Sequence, residues 1–518
     1  MSNGDRQHSS RQNTDSTARA TMRPNRTAMQ VYKSFSQARK RHRGLSTAQR
    51  HICSLLMCCT LLCLTVGARA QDAFPLDFTV VHLGSGPRTV LVVGGIQGDE
   101  PGGFSAASLL TTHYTVENGS VWVVPNLNFP SIIKRSRGLH GDMNRKFARL
   151  DHSDPEYDTV RRIQKLIDHP DVALVLNLHD GSGYYRHKYE SRLRNPARWG
   201  QSVIIDQTSL PGAFMSSLGA MADEAVAAAN AGLLAPDHRL HVRNTNTSAG
   251  DREMEKSLSY YAVRQGKAAF GLEASKEFSV ELRAYYHLLM VESFFRQAGV
   301  DFSRSFALTP QGVREALQDD LAVSFADNRV FLPLENVRPA INYLPLPKSA
   351  PARAVPTKHI MAVLPCDRGD PGQYCVHYGN RMITLIRPEW REVDDSLAAA
   401  PVRVDGQDTL IPFGQIVYVK DSLLVHPLEG YRVNAIGFDN GQPDEAGVEL
   451  RLKDFSPRFS VDRQARIFRV EVYRDRFFSG MFLICFGDGP QKRPAASRTA
   501  RNAAPLPAVA GPESALGF

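Results

Sequence analysis

Side chains of types that activate water or hold a metal stand directly behind apolar, strand-like runs in this sequence. Residues 89–93 run into Gly94-Gly95-Ile96-Gln97-Gly98-Asp99-Glu100, residues 172–178 into His179-Asp180-Gly181, and residues 268–272 into Glu273. In doubly wound sheets ligands bind beyond the carboxyl ends of the strands, so Gln97, Glu100, His179 and Glu273 can converge on one crevice although they are far apart in the chain. Such a set points to metal-assisted hydrolysis. Gln97 and Glu100 are three residues apart, a spacing that sets two side chains on one face of a turn, where they could share an ion. A plainer role is equally open to them, in which the glycines only make a tight loop and Glu100 caps a helix. Taken alone, His179 reads as a buried, hydrogen-bonded histidine.

The segment from Arg135 to Phe147 shifts the balance. It holds Arg137, then Asp142-Met143-Asn144-Arg145 in a Gly/Asp-rich loop. An Asn-Arg pair there is suited to gripping a carboxylate, because guanidinium is a planar two-pronged donor. For Lys134, Arg135 and Lys146 a solvated basic loop is the competing reading.

These residues need a scaffold that brings strand ends together. Strand patterns fall at residues 78–83, 89–93, 121–124, 172–178, 203–206 and 268–272. Helical patterns fall at 101–112, 158–168, 213–229, 257–265 and 280–297. The alternation predicts a mixed, mostly parallel sheet with helices on both faces. Residues 172–178, nearly all Val, Leu and Ala, read as a central strand buried on both sides. Beyond Gly299 only residues 311–319 look helical. Strand-like runs at 402–404, 410–419, 431–436, 448–453, 466–474 and 480–486 predict an immunoglobulin-like β-sandwich.

With 518 residues the chain is long enough for several domains. Its formal charge is +9, but residues 1–70 contribute +10 and residues 490–518 contribute +3, which leaves −4 for the middle. A mildly acidic middle argues against a phosphate-tracking surface, so nucleic acid is excluded as a partner. Residues 52–66 form an apolar run behind an Arg-rich stretch and before Ala68-Arg69-Ala70, the pattern of a cleavable secretory signal. At ~1.5 Å per residue the run falls short of a ~30 Å hydrocarbon core, which disfavours a permanent anchor. The mature chain is expected to begin at Gln71, in the periplasm. The basic stretch is long for a signal, and Met29 is a candidate start. An oxidising compartment would permit Cys366 and Cys375 to bridge; Cys485 reads as a core thiol.

The expected organisation is a signal with a long basic n-region (1–70), a catalytic domain (71–302), a small β-rich domain (303–393), an immunoglobulin-like sandwich (394–489) and a disordered tail (490–518). Gly-Gly-Ile-Gln-Gly-Asp-Glu at 94–100, Asp-Met-Asn-Arg at 142–145, Leu-Asn-Leu-His-Asp-Gly at 176–181 and Phe-Gly-Leu-Glu-Ala-Ser-Lys at 270–276 resemble, in order, the motifs of the zinc carboxypeptidases related to carboxypeptidase A. Within that superfamily they are most similar to the peptidoglycan D,L-carboxypeptidases that determine helical cell shape, a branch with two smaller β-rich C-terminal domains. The resemblance covers about residues 72–300.

It implies one zinc ion held by Gln97, Glu100 and His179, with Glu273 as general base, Arg137 stabilising the oxyanion, and Asn144 with Arg145 binding the substrate's terminal carboxylate. Most zinc carboxypeptidases have His where Gln97 stands, and the shape-determining branch has Gln. The implied reaction releases meso-diaminopimelate from the stem tripeptide of peptidoglycan. The C-terminal domains are expected to orient the catalytic unit or to contact other wall or membrane proteins. Another zinc acyl-hydrolase of the superfamily, and a catalytically inert peptidoglycan-binding protein, are the competing readings.

Overall fold

The computed structural model describes residues 76–367 and 371–489, all of which belong to one compact unit. The expected signal, its cleavage site and the tail lie outside the described residues. Among the described residues no helix is long and apolar enough to cross a membrane.

The first part of the chain builds one large mixed sheet. Its strands are β1 (Val81–Ser85), β2 (Thr89–Val93), β3 (Tyr114–Val124), β4 (Val172–Gly181), β5 (Ser202–Ile205), β6 (His241–Asn244), β7 (Ala268–Ser275) and β8 (Asp301–Arg304). The order is β1-β3-β2-β4-β7-β5-β6, with β8 paired to β3. β3, β2, β4 and β7 run parallel. β5 is antiparallel to β7. Side chains of a strand alternate between the two faces, and β2 and β7 are buried at every position, so helices and loops cover both faces.

The helices are α1 (Pro101–His113), α2 (Phe129–Ile133), α3 (Tyr157–Ile167), α4 (Leu218–Ala231), α5 (Leu258–Arg264), α6 (Val280–Gln297) and α7 (Pro310–Gln318). In α3 the buried residues Val160, Ile163, Gln164 and Ile167 recur at the spacing of one helical face. Pro101 opens α1, where a missing backbone N–H costs nothing. The sequence pattern anticipates β2 and α6 and places most other elements of this part within a few residues. The 3.6-residue and alternating patterns miss α2, which is little more than one turn long, and β6, which is intermediate in burial at every position and so has no apolar alternation.

Packing carries the first domain past the expected boundary at 302. β8 pairs with β3, and Val313, Ala316 and Leu317 of α7 join the large core. The expected strand at 410–419 is two strands, Gln407–Pro412 and Ile416–Val419, separated at Phe413-Gly414 where Gly414 has φ 75°. The run at 448–453 keeps only Glu449–Leu450 as strand, followed by a 3-10 turn.

The C-terminal residues form two four-stranded sheets facing one another across Val402, Val425, Phe468, Val470, Phe482 and Ile484, a β-sandwich as the sequence predicts. Between it and the first domain stand a three-stranded and a four-stranded sheet. Their core includes Tyr473, Phe478, Met481 and Leu483 of the sandwich, so the second and third domains share side chains across their junction. Cys366 and Cys375 are bridged; Cys485 is only partly buried.

Candidate active site

The sheet register assembles the site. β4 and β7 are parallel neighbours, and their pairing sets His179 beside Glu273. β2, on the other side of β4, ends at Val93 and hands the chain to the Gly94–Glu100 turn. Gly95 adopts φ 74°, which only glycine takes cheaply. A Cβ on Gly98 would lie 2.1 Å from the Ser131 carbonyl, so the turn is pressed onto α2 and no larger residue fits.

Three side chains meet there. Nδ1 of His179 lies 3.1 Å from Oε1 of Gln97 and 3.0 Å from Oε2 of Glu100. All three residues are buried, as is Glu273. Glu100 Oε2 also accepts the backbone N–H of Asp180. The orientation of the Gln97 amide is fixed from behind, because its Nε2 donates to Asp142 Oδ1 at 2.7 Å and this turns Oε1 toward His179. Arg137 grips the other Asp142 oxygen through Nε and Nη2, at 3.1 and 2.9 Å. Its Nη1 stands 3.5 Å from Glu100. Lys276 reaches Asp99 at 3.0 Å and Glu100 at 3.4 Å.

A divalent metal fits this donor set. Tetrahedral N and O ligands at about 2.0–2.1 Å from an ion stand about 3.3 Å from one another, close to the two distances from His179 Nδ1 to the Gln97 and Glu100 oxygens. Among the described residues no group of three His, Cys, Asp or Glu side chains is placed to hold a metal; this set has two of those types, with the Gln97 amide as third member. Asp142 behind Gln97 is the kind of outer carboxylate that orients a ligand. Facing the set, Glu273 Oε2 is buried without a hydrogen-bond partner, as a base aimed at a small bound molecule would be.

Burial pushes the Glu273 carboxyl up to about 8, with Glu100 and Asp180 adding to the effect and His179 and Lys276 opposing it. Burial works to lower His179, but the Glu100 hydrogen bond and the charges of Glu100, Glu273 and Asp142 outweigh it and raise the group. For Asp142 burial works upward, and the Gln97 bond with Arg137 and Arg145 holds it low, so it is ionised. Behind the site, Asp180 is fully buried; it accepts the Gly102 N–H and bonds Arg283 and His287, which keep it charged against the cost of burial.

Asn144 joins the site through its amide, 3.4 Å from His179 Nε2, while its Oδ1 accepts the Leu258 N–H and anchors α5. Arg145 bonds the Asn144 carbonyl and stands 3.7 Å from the exposed Glu253. All seven residues singled out in the sequence thus lie in or beside one cluster. Two other histidines of this domain are engaged elsewhere: His82 stacks on Trp122, and His113 bonds Ser305. Sequence reasoning misses the roles of Asp142, Lys276 and Asp180, although each lies inside a quoted motif; only contacts reveal what they hold.

The comparisons with known proteins agree with this geometry. Residues 55–318 match the family model described as the catalytic part of a carboxypeptidase controlling helical cell shape, and residues 393–487 match the C-terminal domain of metallo-carboxypeptidase. The catalytic match ends where α7 ends. Among solved structures, the apo cell shape determinant protein Csd4 from Helicobacter pylori is 40% identical, with a TM-score of 0.72 over 79% of this chain and 100% of that one. The same values hold for its mDAP-bound form, described as a D,L-carboxypeptidase, and for its tripeptide-bound form. No curated protein matches the chain.

Proposed function

The chain belongs to the family of carboxypeptidases that control helical cell shape, and from that membership we propose that it is a zinc-dependent D,L-carboxypeptidase of the periplasm. Its substrate is the peptidoglycan stem tripeptide, which it trims to a dipeptide by releasing meso-diaminopimelate. The observation that carries this reading is the approach of an imidazole to a carboxylate and an amide oxygen at 3.0–3.1 Å, beside the unpartnered Oε2 of Glu273. Export rests on the signal pattern ahead of Gln71 and is supported by the Cys366–Cys375 bridge, which an oxidising compartment maintains.

Gln97, Glu100 and His179 would hold the zinc ion, which when bound supplies a Lewis acid and lowers the pKa of water. Glu273 Oε2 takes the proton from the attacking water and later passes it to the leaving amine. Burial holds the Glu273 carboxyl up at about 8, and a cation held by Gln97, Glu100 and His179 would favour its charged form, the form that accepts a proton. Arg137, half exposed and tethered through Asp142, turns a guanidinium toward the oxyanion as it develops. Arg145 with Asn144 holds the terminal carboxylate of the substrate. Its contact with exposed Glu253 is weak and is exchanged for a two-pronged bond to that carboxylate.

Incubating the purified chain with muramyl tripeptide and tetrapeptide, with and without chelator, and weighing the products tests the proposal. Chelator-sensitive release of diaminopimelate from the tripeptide alone is expected. Chelator-insensitive binding without cleavage would instead select an inert peptidoglycan-binding protein.

A further inference from the structure

Arg137 sits on a loop that the first domain does not hold by itself. On one side, α2 backs onto the turn carrying Gln97 and Glu100, through the close approach of Ser131 to Gly98. On the other, Phe129, Ile132 and Ile133 of α2 form with Phe104 a separate buried cluster completed by Ile360 and Ala362 of the second domain. Gly379 of that domain, at φ 54°, approaches the Phe104 ring so closely that a Cβ would be 2.7 Å away. Asn126 donates to the His359 carbonyl at 2.9 Å.

Just past α2 the chain is tied to the second domain again. Lys134 pairs with Asp367, which adjoins the bridged Cys366, and Arg135 Nε donates to the Asn380 carbonyl. Arg135 has φ 52°, a left-handed conformation that is unfavourable for a non-glycine residue and persists where the surroundings enforce it. Its N–H bonds the Ile132 carbonyl, and the Ser136 N–H bonds that of Ser131, so the turn is fastened to α2. Two residues past Arg135, the Arg137 guanidinium meets Asp142 and Glu100.

We infer that the second domain is a positioning element for Arg137, and that Arg135 is the positioning residue through which it acts. The inference rests on the reading of Arg137 as oxyanion donor. A donor of that kind works because it is already aimed where charge develops; one that must first be ordered stabilises the transition state less. Loosening the Arg135 turn therefore affects turnover rather than binding or metal content.

Four full-length, zinc-loaded proteins test this on the tripeptide: the parent, R135A, R137A and R135A/R137A, the last two read at high enzyme concentration. R135A is expected to lower kcat about tenfold, in keeping with the cost of small misplacements at reacting centres. KM should stay within about twofold and zinc content unchanged. In the R137A background the same substitution should cost less than about twofold, because residues that act as a unit are not additive. Equal losses in both backgrounds, an effect on KM alone, or no loss from R135A while R137A is crippled would overturn the inference and leave the oxyanion assignment standing. Full turnover by R137A would overturn both.

Discussion

At the residue scale, Gln97 is where the proposed metal set departs from the usual His₂Glu ligands. On the proposed reading, a neutral amide oxygen would donate less to zinc than an imidazole nitrogen does, so the ion would be held less tightly and stay more Lewis acidic. Q97H is therefore expected to retain or increase zinc occupancy after dialysis, read by elemental analysis; a drop to zero would remove Gln97 from the set. D142A releases the Gln97 amide from the bond that aims Oε1. Loss of an outer-shell partner typically weakens metal about 10–100-fold, which chelator competition should show for this variant. E273Q keeps size and hydrogen-bonding shape but cannot accept the proton, so kcat should fall at least about a hundredfold with zinc content unchanged. The identities of these residues were legible in the sequence because each stands at a strand end or in a quoted motif. The support given by Asp142 and Lys276 was not, since it depends on side chains meeting across 45 and 177 positions.

At the element scale, the long helices and central strands were legible because burial on one face leaves a periodic pattern, as in α3, and burial on both faces leaves an unbroken apolar run, as in β4. α2 and β6 left none, and Gly414 broke an apolar run that read as continuous. The antiparallel step between β7 and β5 also escaped the pattern. It puts Ser202 beside Glu273 and sends the far end of β5, followed by Asp206, away from the chemistry. Burial raises Asp206 to about 6, against hydrogen bonds from Thr247, Thr245 and Ser259 that lower it and with Asp251 adding to the rise. The unfolded chain loses this proton near pH 4. Between there and pH 6 the unfolded state ionises while the folded state does not, so stability falls as pH rises through that window and stays lower above it. D206N removes the cost, and the Thr247 hydroxyl can still donate to its carbonyl. Thermal melts should show a gain on the order of 2 kcal/mol at pH 7 that vanishes below pH 4.

At the scale of the whole molecule, the two β-rich domains were visible as a change of texture after Gly299, but not the way they interlock. Residues far apart in sequence build one core there, with Tyr473, Phe478, Met481 and Leu483 of the sandwich packed among Val323, Leu332, Leu344 and Ile386. Each large apolar side chain buried contributes about 1.5–3 kcal/mol. A chain ending at Trp390 is therefore expected to expose that core, bind a hydrophobic dye and lose its cooperative melt. An unchanged melt would show that the second domain stands without the third. All of this architecture serves to bring an amide, a carboxylate and an imidazole to one point facing Glu273. Zinc-edge X-ray absorption on the loaded protein addresses that point most directly. It should show a light-atom shell at about 2.0–2.1 Å with a single imidazole and no sulfur; two or more imidazoles, or any sulfur ligand, would contradict it.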